Sequence, residues 1–161
     1  MIDAEPLDLF DWKILALLQE NAELSATQIG ERIGLSQSPV SRRIARLRTL
    51  GYVRRTVALL DRHKLGLSAQ VFAQVKLSAH GRTHLEEFTA AIRDFPEVLE
   101  CHVLMGSVDF LLRVVAKDIS AYERFFFEKL SRVPGIQEVT STVALSEIKS
   151  TSSLPLHSAR A

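Results

Sequence analysis

Ser25-Ala26-Thr27-Gln28-Ile29-Gly30-Glu31-Arg32-Ile33-Gly34-Leu35-Ser36-Gln37-Ser38-Pro39-Val40-Ser41-Arg42-Arg43-Ile44-Ala45-Arg46-Leu47-Arg48 decides how the first part of this chain folds. Ser25 and Gln28 have the spacing of a capping box, in which hydroxyl and amide each satisfy a free backbone donor. Ile29 and Ile33, one turn apart, give a short helix its apolar face. Gly34 ends it, because glycine tolerates the left-handed geometry of a helix stop. Ser36 then caps a second helix, and Pro39 fits its first turn, where a missing N–H is no loss. Val40, Ile44 and Leu47 point inward at helical spacing. Gln37, Ser38, Ser41, Arg42, Ala45 and Arg48 point outward. Amide, hydroxyl and guanidinium groups on one face of a packed helix suit a DNA major groove.

Charge points the same way. The chain of 161 residues carries a net +1, which by itself gives nucleic acid no preference. Locally, Arg32 to Lys64 holds nine Lys or Arg and one acid, Asp61. Six arginines stand between Arg42 and Arg55 with no acid among them, whereas solvated helix faces usually interleave both signs. Guanidinium forks match phosphates and base edges. Gln37, Ser38, Ser41 and Arg42 are therefore expected at base edges. Arg43, Arg46, Arg54 and Arg55 are expected at phosphates, with Arg48 on the same outward face. The expected partner is double-stranded DNA.

With 47% hydrophobic residues the chain can bury real cores, and no apolar run reaches a membrane span of roughly 20 residues. The acidic start Met1-Ile2-Asp3-Ala4-Glu5 lacks the basic region of a signal peptide, and Cys101 has no second cysteine to pair with. A cytoplasmic protein that contacts no membrane and needs no cofactor is the expectation. Asp8 can cap a first helix with Ile14, Leu17 and Leu18 on its core face. After Gly51, the strand formers Tyr52 to Leu60 predict a β wing or linker strand.

Past residue 68 the period changes to two, with Val71, Ala73, Val75 and Leu77 alternating with Phe72, Gln74 and Lys76. Leu85, Phe88 and Ile92 return to helical spacing. Leu99, Cys101 and Val103 alternate with Glu100 and His102, so Cys101 is expected to be buried. A turn at Gly106-Ser107-Val108-Asp109 leads into Phe110–Val115. A helix carries Tyr122, Phe125 and Phe126, and Val139 to Leu145 form a last strand. The fold class is α+β: a winged helix-turn-helix in 1–60, a linker in 61–68, a ferredoxin-like βαββαβ domain in 69–150 and a tail in 151–161. Two helices cover one sheet face. The other bears Gln74, Lys76, Glu100, His102, Arg113, Thr140 and Thr142, too mixed for a second core but able to meet another subunit. His80 and His84 could face one way like metal ligands. With Gly81 between them and no third ligand near, a surface helix start is the better reading, so no metal is expected.

From about Leu7 to Leu156 the chain resembles the Lrp/AsnC (feast/famine) transcriptional regulators. In the helix-turn-helix the resemblance rests on Ser25, Gln28, Ile29, Gly30, Ile33, Gly34, Leu35, Ser36, Arg43, Ile44, Leu47 and Gly51. In the second domain it rests on Pro96-Glu97-Val98, Gly106-x-x-Asp109, Ala121-Tyr122-Glu123 and Val133-Pro134-Gly135. The resemblance implies a regulator, not an enzyme, whose second domain senses a small molecule, usually an amino acid. It also implies homodimers, often joined into octamers. The effector is then expected where one dimer meets another, around Met105, Gly106, Ser107, Val108 and Asp109, with Thr140 and Thr142 adding hydroxyls. The family often carries a second acid in that turn. Ser107 and Val108 stand there instead, which favours an effector with an uncharged or apolar side chain. Some proteins resembling this family act on tetrapyrroles. A tetrapyrrole-modifying enzyme is thus the alternative, but it would have no use for the arginines of the second helix.

Overall fold

A computed structural model describes residues 6–78 and 85–156. The chain divides into two compact units. One gathers the residues up to Leu59 with the chain from Lys149 onward, and the other runs from Leu60 to Ile148.

In the first unit, α1 spans Leu9–Glu20, α2 Ala26–Ile33 and α3 Gln37–Thr49. Asp8 caps α1, accepting from the N–H groups of Phe10 and Asp11, both at 2.9 Å, while Asp11 Oδ2 accepts from the Asp8 N–H at 3.1 Å. Ser25 and Gln28 close the same reciprocal box on α2, at 3.2 and 2.9 Å. Gly34 takes φ 76° and stops α2. Ser36 holds the cap position of α3, but its side chain makes no cap bond. A serine cap accepts from the second or third N–H of the helix, and the third belongs to Pro39, which has none. At the far end, Gly51 N–H bonds to Arg48 O and Tyr52 N–H to Leu47 O, both at 3.0 Å, which is a Schellman stop. Ile14, Ile29, Ile33, Val40 and Leu47 form the core, with Leu17, Leu18 and Ile44 packed around them. The tail joins this unit. Gln19 Nε2 donates to Leu154 O at 2.9 Å, and Leu154 N–H donates back to Gln19 Oε1 at 3.0 Å.

The expected wing strand does not form. Residues 53–60 make no ladder, and Val57, Leu59 and Leu60 are exposed. Strand-forming side chains make a strand only where another backbone offers its donors and acceptors. Among the described residues this stretch has no ladder partner.

The second unit is a four-stranded antiparallel sheet. Its strands are β1 (Ala69–Leu77), β2 (Val98–Val103), β3 (Phe110–Ala116) and β4 (Ile136–Val143), in the order β2-β3-β1-β4. Helices α4 (Leu85–Asp94) and α5 (Ile119–Glu128) complete the βαββαβ order. Val71, Ala73 and Val75 of β1 and Phe110, Leu112 and Val114 of β3 pack against Phe88, Ile92, Tyr122 and Phe125. The Tyr122 hydroxyl meets Ser141 Oγ at 2.5 Å, so the buried phenol is satisfied.

Cys101, expected inside, is exposed. It occupies the inward register of β2, opposite Leu112, but β2 is the sheet's edge and the helices cover its centre. The last strand stops at Val143, which leaves Leu145 in solvent. On the uncovered face Phe72 lies opposite both Arg113 and Thr142, Gln74 opposite Leu111 and Thr140, and Glu100 beside Arg113. Arg113 donates to Glu100 at 2.5 Å and holds that carboxyl below the usual carboxylate range. His80 and His84 lie outside the described residues, among which no cluster of His, Cys, Asp or Glu could hold a metal.

Candidate nucleic-acid interface and effector turn

Burying Val40 and Leu47 turns the opposite side of α3 to solvent. Gln37, Ser38, Ser41, Arg42, Ala45 and Arg48 are all exposed, as are Arg54 and Arg55 beyond the helix. The outward face read from spacing is the face observed.

Arg43 and Arg46, expected at phosphates, are ion-paired to α1 and its cap. Arg43 Nη1 lies 2.7 Å from Asp8 Oδ2 and 2.9 Å from Asp11 Oδ1. Arg46 Nη2 lies 2.7 Å from Asp11 Oδ2. The Asp11 side chain is wholly buried, and the two arginine side chains keep 29% and 38% of their surface. Both oxygens of one buried carboxylate are thus taken by two turns of α3. The Arg43 guanidinium also stands 5.7 Å over the Phe10 ring. Asp11 is the member of this cluster that reading the sequence missed. The available signal was an acid inside the apolar stripe of α1, three residues after Asp8, facing arginines that are themselves three apart on α3.

Partial burial pushes the Asp8 carboxyl up, but hydrogen bonds from the Asp11 N–H and from Arg43 outweigh it and hold the group below its ordinary 3.8. A lowered carboxylate pKa contributes stability that is present above the unfolded value and lost as pH falls through the folded one. The first unit should therefore lose stability on acidification below about pH 4. Trp12, the only tryptophan, lies in α1 and reports that unit alone. Its fluorescence midpoint in urea should fall between pH 5 and pH 3 in wild type and much less in Asp8→Asn. An equal fall in both would show that Asp8 does not carry the effect.

In the second unit, residues 104–109 join β2 to β3. Leu104 N–H bonds to Asp109 O at 2.8 Å, and Asp109 N–H to Val75 O at 2.9 Å. Asp109 Oδ2 accepts from the Leu77 N–H at 2.7 Å. The Asp109 carboxylate, expected beside the effector, thus spends one oxygen on tying the turn to β1. Met105, Gly106 and Ser107 are exposed and Val108 is half-buried. A Cβ added at Gly106 would meet nothing within 4 Å. Thr140 and Thr142 are not beside the turn. They stand on β4, with β1 between, so about 10 Å of sheet separates them from β3 in the same chain.

Residues 7–48 match the AsnC-type helix-turn-helix domain, and residues 70–154 match the Lrp/AsnC ligand binding domain. The chain belongs to the Lrp/AsnC family. Like its relatives in this family it is a DNA-binding transcriptional regulator. It is 40% identical over 147 residues to the proline dehydrogenase transcriptional activator of Rhizobium radiobacter, covering 91% of this chain and 94% of that protein. It is 34% identical over 148 residues to the leucine-responsive regulatory protein of Escherichia coli strain K12, covering 92% and 90%. Among solved structures, a transcriptional regulator of Neisseria meningitidis in complex with L-Met superposes with a TM-score of 0.92 at 39% identity, covering 96% of this chain and 99% of that one. These relatives establish the helix-turn-helix and the sheet as parts of one regulator. No described helix is long and apolar enough to cross a membrane.

Proposed function

We propose that this Lrp/AsnC-family regulator reads an operator with α3 and is switched by an amino acid bound at the Gly106 turn. The observation that carries the DNA half is the solvent face of α3, where Gln37, Ser38, Ser41 and Arg42 stand together over a buried apolar back. These four reach base edges, and Arg48, Arg54 and Arg55 meet phosphates. One helix reads only a few base pairs. The protein therefore works as a homodimer, or a larger assembly such as an octamer, on half-sites about one helical turn apart. Arg42→Ala should cost about 1–3 kcal/mol on the operator and relax the preference at one base pair. Selection of bound sequences from a random pool, for wild type and variant, reads this directly. An unchanged preference would move the base-reading face elsewhere on α3.

For the effector half, the support is the exposed backbone of Gly106 beside Val103, Leu104 and Met105, all on the solvent side. The Neisseria relative binds L-Met, and the apolar rim here suits an uncharged side chain of that kind. Such a ligand acts only through unequal affinity for two states of the assembly. Gly106→Trp adds its bulk to open space, so the fold should stand while the ligand is shut out. Calorimetric titration against the twenty amino acids should lose its signal in this variant, with DNA affinity kept within a few-fold. Binding that persists, or tight binding of lysine or arginine by wild type, would remove the site from this turn.

A further inference from the structure

We infer that Asp8 and Asp11 withdraw Arg43 and Arg46 from the DNA-binding charge of α3, with Asp11 as the residue that fixes the helix's rotation. The inference rests on the DNA reading above and adds which arginines count. Two carboxylates and two guanidiniums meet at 2.7 to 2.9 Å and leave the cluster with no net charge. An arginine that left it for a phosphate would give up a contact to a fully buried carboxylate, leaving Asp11 with one guanidinium in place of two, in exchange for one exposed phosphate contact. Arg43 and Arg46 are four-tenths exposed or less, yet each is already spent. Of the six arginines between Arg42 and Arg55, only Arg42, Arg48, Arg54 and Arg55 remain for DNA.

The same contacts explain how α3 is aimed. Arg43 and Arg46 lie on adjacent turns of α3, and one buried side chain of α1 holds both. Rotation of α3 about its axis would break one of the two bonds. The base-reading row is thereby fixed relative to α1.

The two aspartates are separable by experiment. Asp8 is half exposed, and asparagine is as good a helix cap, so Asp8→Asn removes a charge and leaves α1 intact. A structural role alone predicts weaker DNA binding in Asp8→Asn. Charge withdrawal predicts the opposite sign. Binding to a random-sequence duplex a few helical turns long is followed by fluorescence anisotropy between about 50 and 200 mM salt. Asp8→Asn should bind more tightly, with the slope of log affinity against log salt steepened by up to about 0.9 per protomer. The double variant Asp8→Asn/Arg43→Gln restores a neutral cluster and should return to the wild-type slope. Arg48→Gln gives the yardstick, a slope flattened by about 0.9. An Asp8→Asn slope that is unchanged or flatter overturns the inference. Wild type without salt-dependent binding overturns the DNA reading beneath it instead.

Discussion

Asp11→Ala should unfold the DNA-binding unit well before the sensor unit. Asp11 sits at 0% exposure and accepts from Arg43, Arg46 and the Asp8 N–H. Removing a partner from a buried pair costs about 3–5 kcal/mol where the remaining charge stays buried. Here the stranded guanidiniums keep 29% and 38% of their surface and recover part of their hydration, which trims the loss. The lost half of the capping box and the void left by the carboxylate add to it. About 2–3 kcal/mol is the expected net, enough to move a unit of this size by roughly 10 °C or more. Trp12 fluorescence should show the shifted transition, while far-UV circular dichroism retains the second unit's unfolding at its wild-type temperature. Asp11→Asn, which keeps the shape and one acceptor oxygen, should recover part of the loss. A Trp12 transition within about 0.5 kcal/mol of wild type would mean that the three contacts contribute nothing net.

That prediction turns on a residue that periodicity hides. The helix-turn-helix could be read because its devices are local. The Ser25–Gln28 box, the Gly34 stop and the Gly51 stop each act within about six residues, and all three are observed. The alternation of β1 was legible because it is a central strand with one covered face. Cys101 was misplaced for the complementary reason. Alternation gives the face of a strand but not its place in the sheet, and β2 lies at an edge where the inward face is bare. The segment 53–60 has strand composition, but pairing depends on a second backbone that composition does not reveal. The ion pairs of Arg43 and Arg46 with Asp8 and Asp11 were not legible, because charge counts along a sequence ignore what another helix brings against them. Asp109 stood out as a lone acid in a turn, but its tie to the Leu77 N–H crosses 32 residues of sequence.

Gly30→Ala should destabilise the first unit and abolish DNA binding, against the ordinary sense of helix propensity. Gly30 is inside α2, where alanine is favoured by about 1 kcal/mol. The added Cβ would collide with the carbonyl oxygen of Leu35, in the turn that leads into α3. That turn cannot yield cheaply. Gly30 O accepts from the Gly34 N–H at 2.8 Å and from the Leu35 N–H at 3.0 Å, so pushing Leu35 away stretches the bonds that end α2. The atom in the way is backbone, so no side-chain rotation relieves the contact. Overpacking of this kind costs about 1–3 kcal/mol and exceeds the propensity gain. The displacement is handed to Ser36 and Gln37, which open α3, so the base-reading face moves with it. Gly106→Ala is the control, because its Cβ enters open space and the same substitution should leave Trp12 and DNA affinity unchanged. Urea titration read at Trp12, with anisotropy on operator DNA, checks both variants. A Gly30→Ala protein more stable than wild type, with full affinity, would show that propensity outweighs the clash and that the turn is looser than its two short hydrogen bonds indicate.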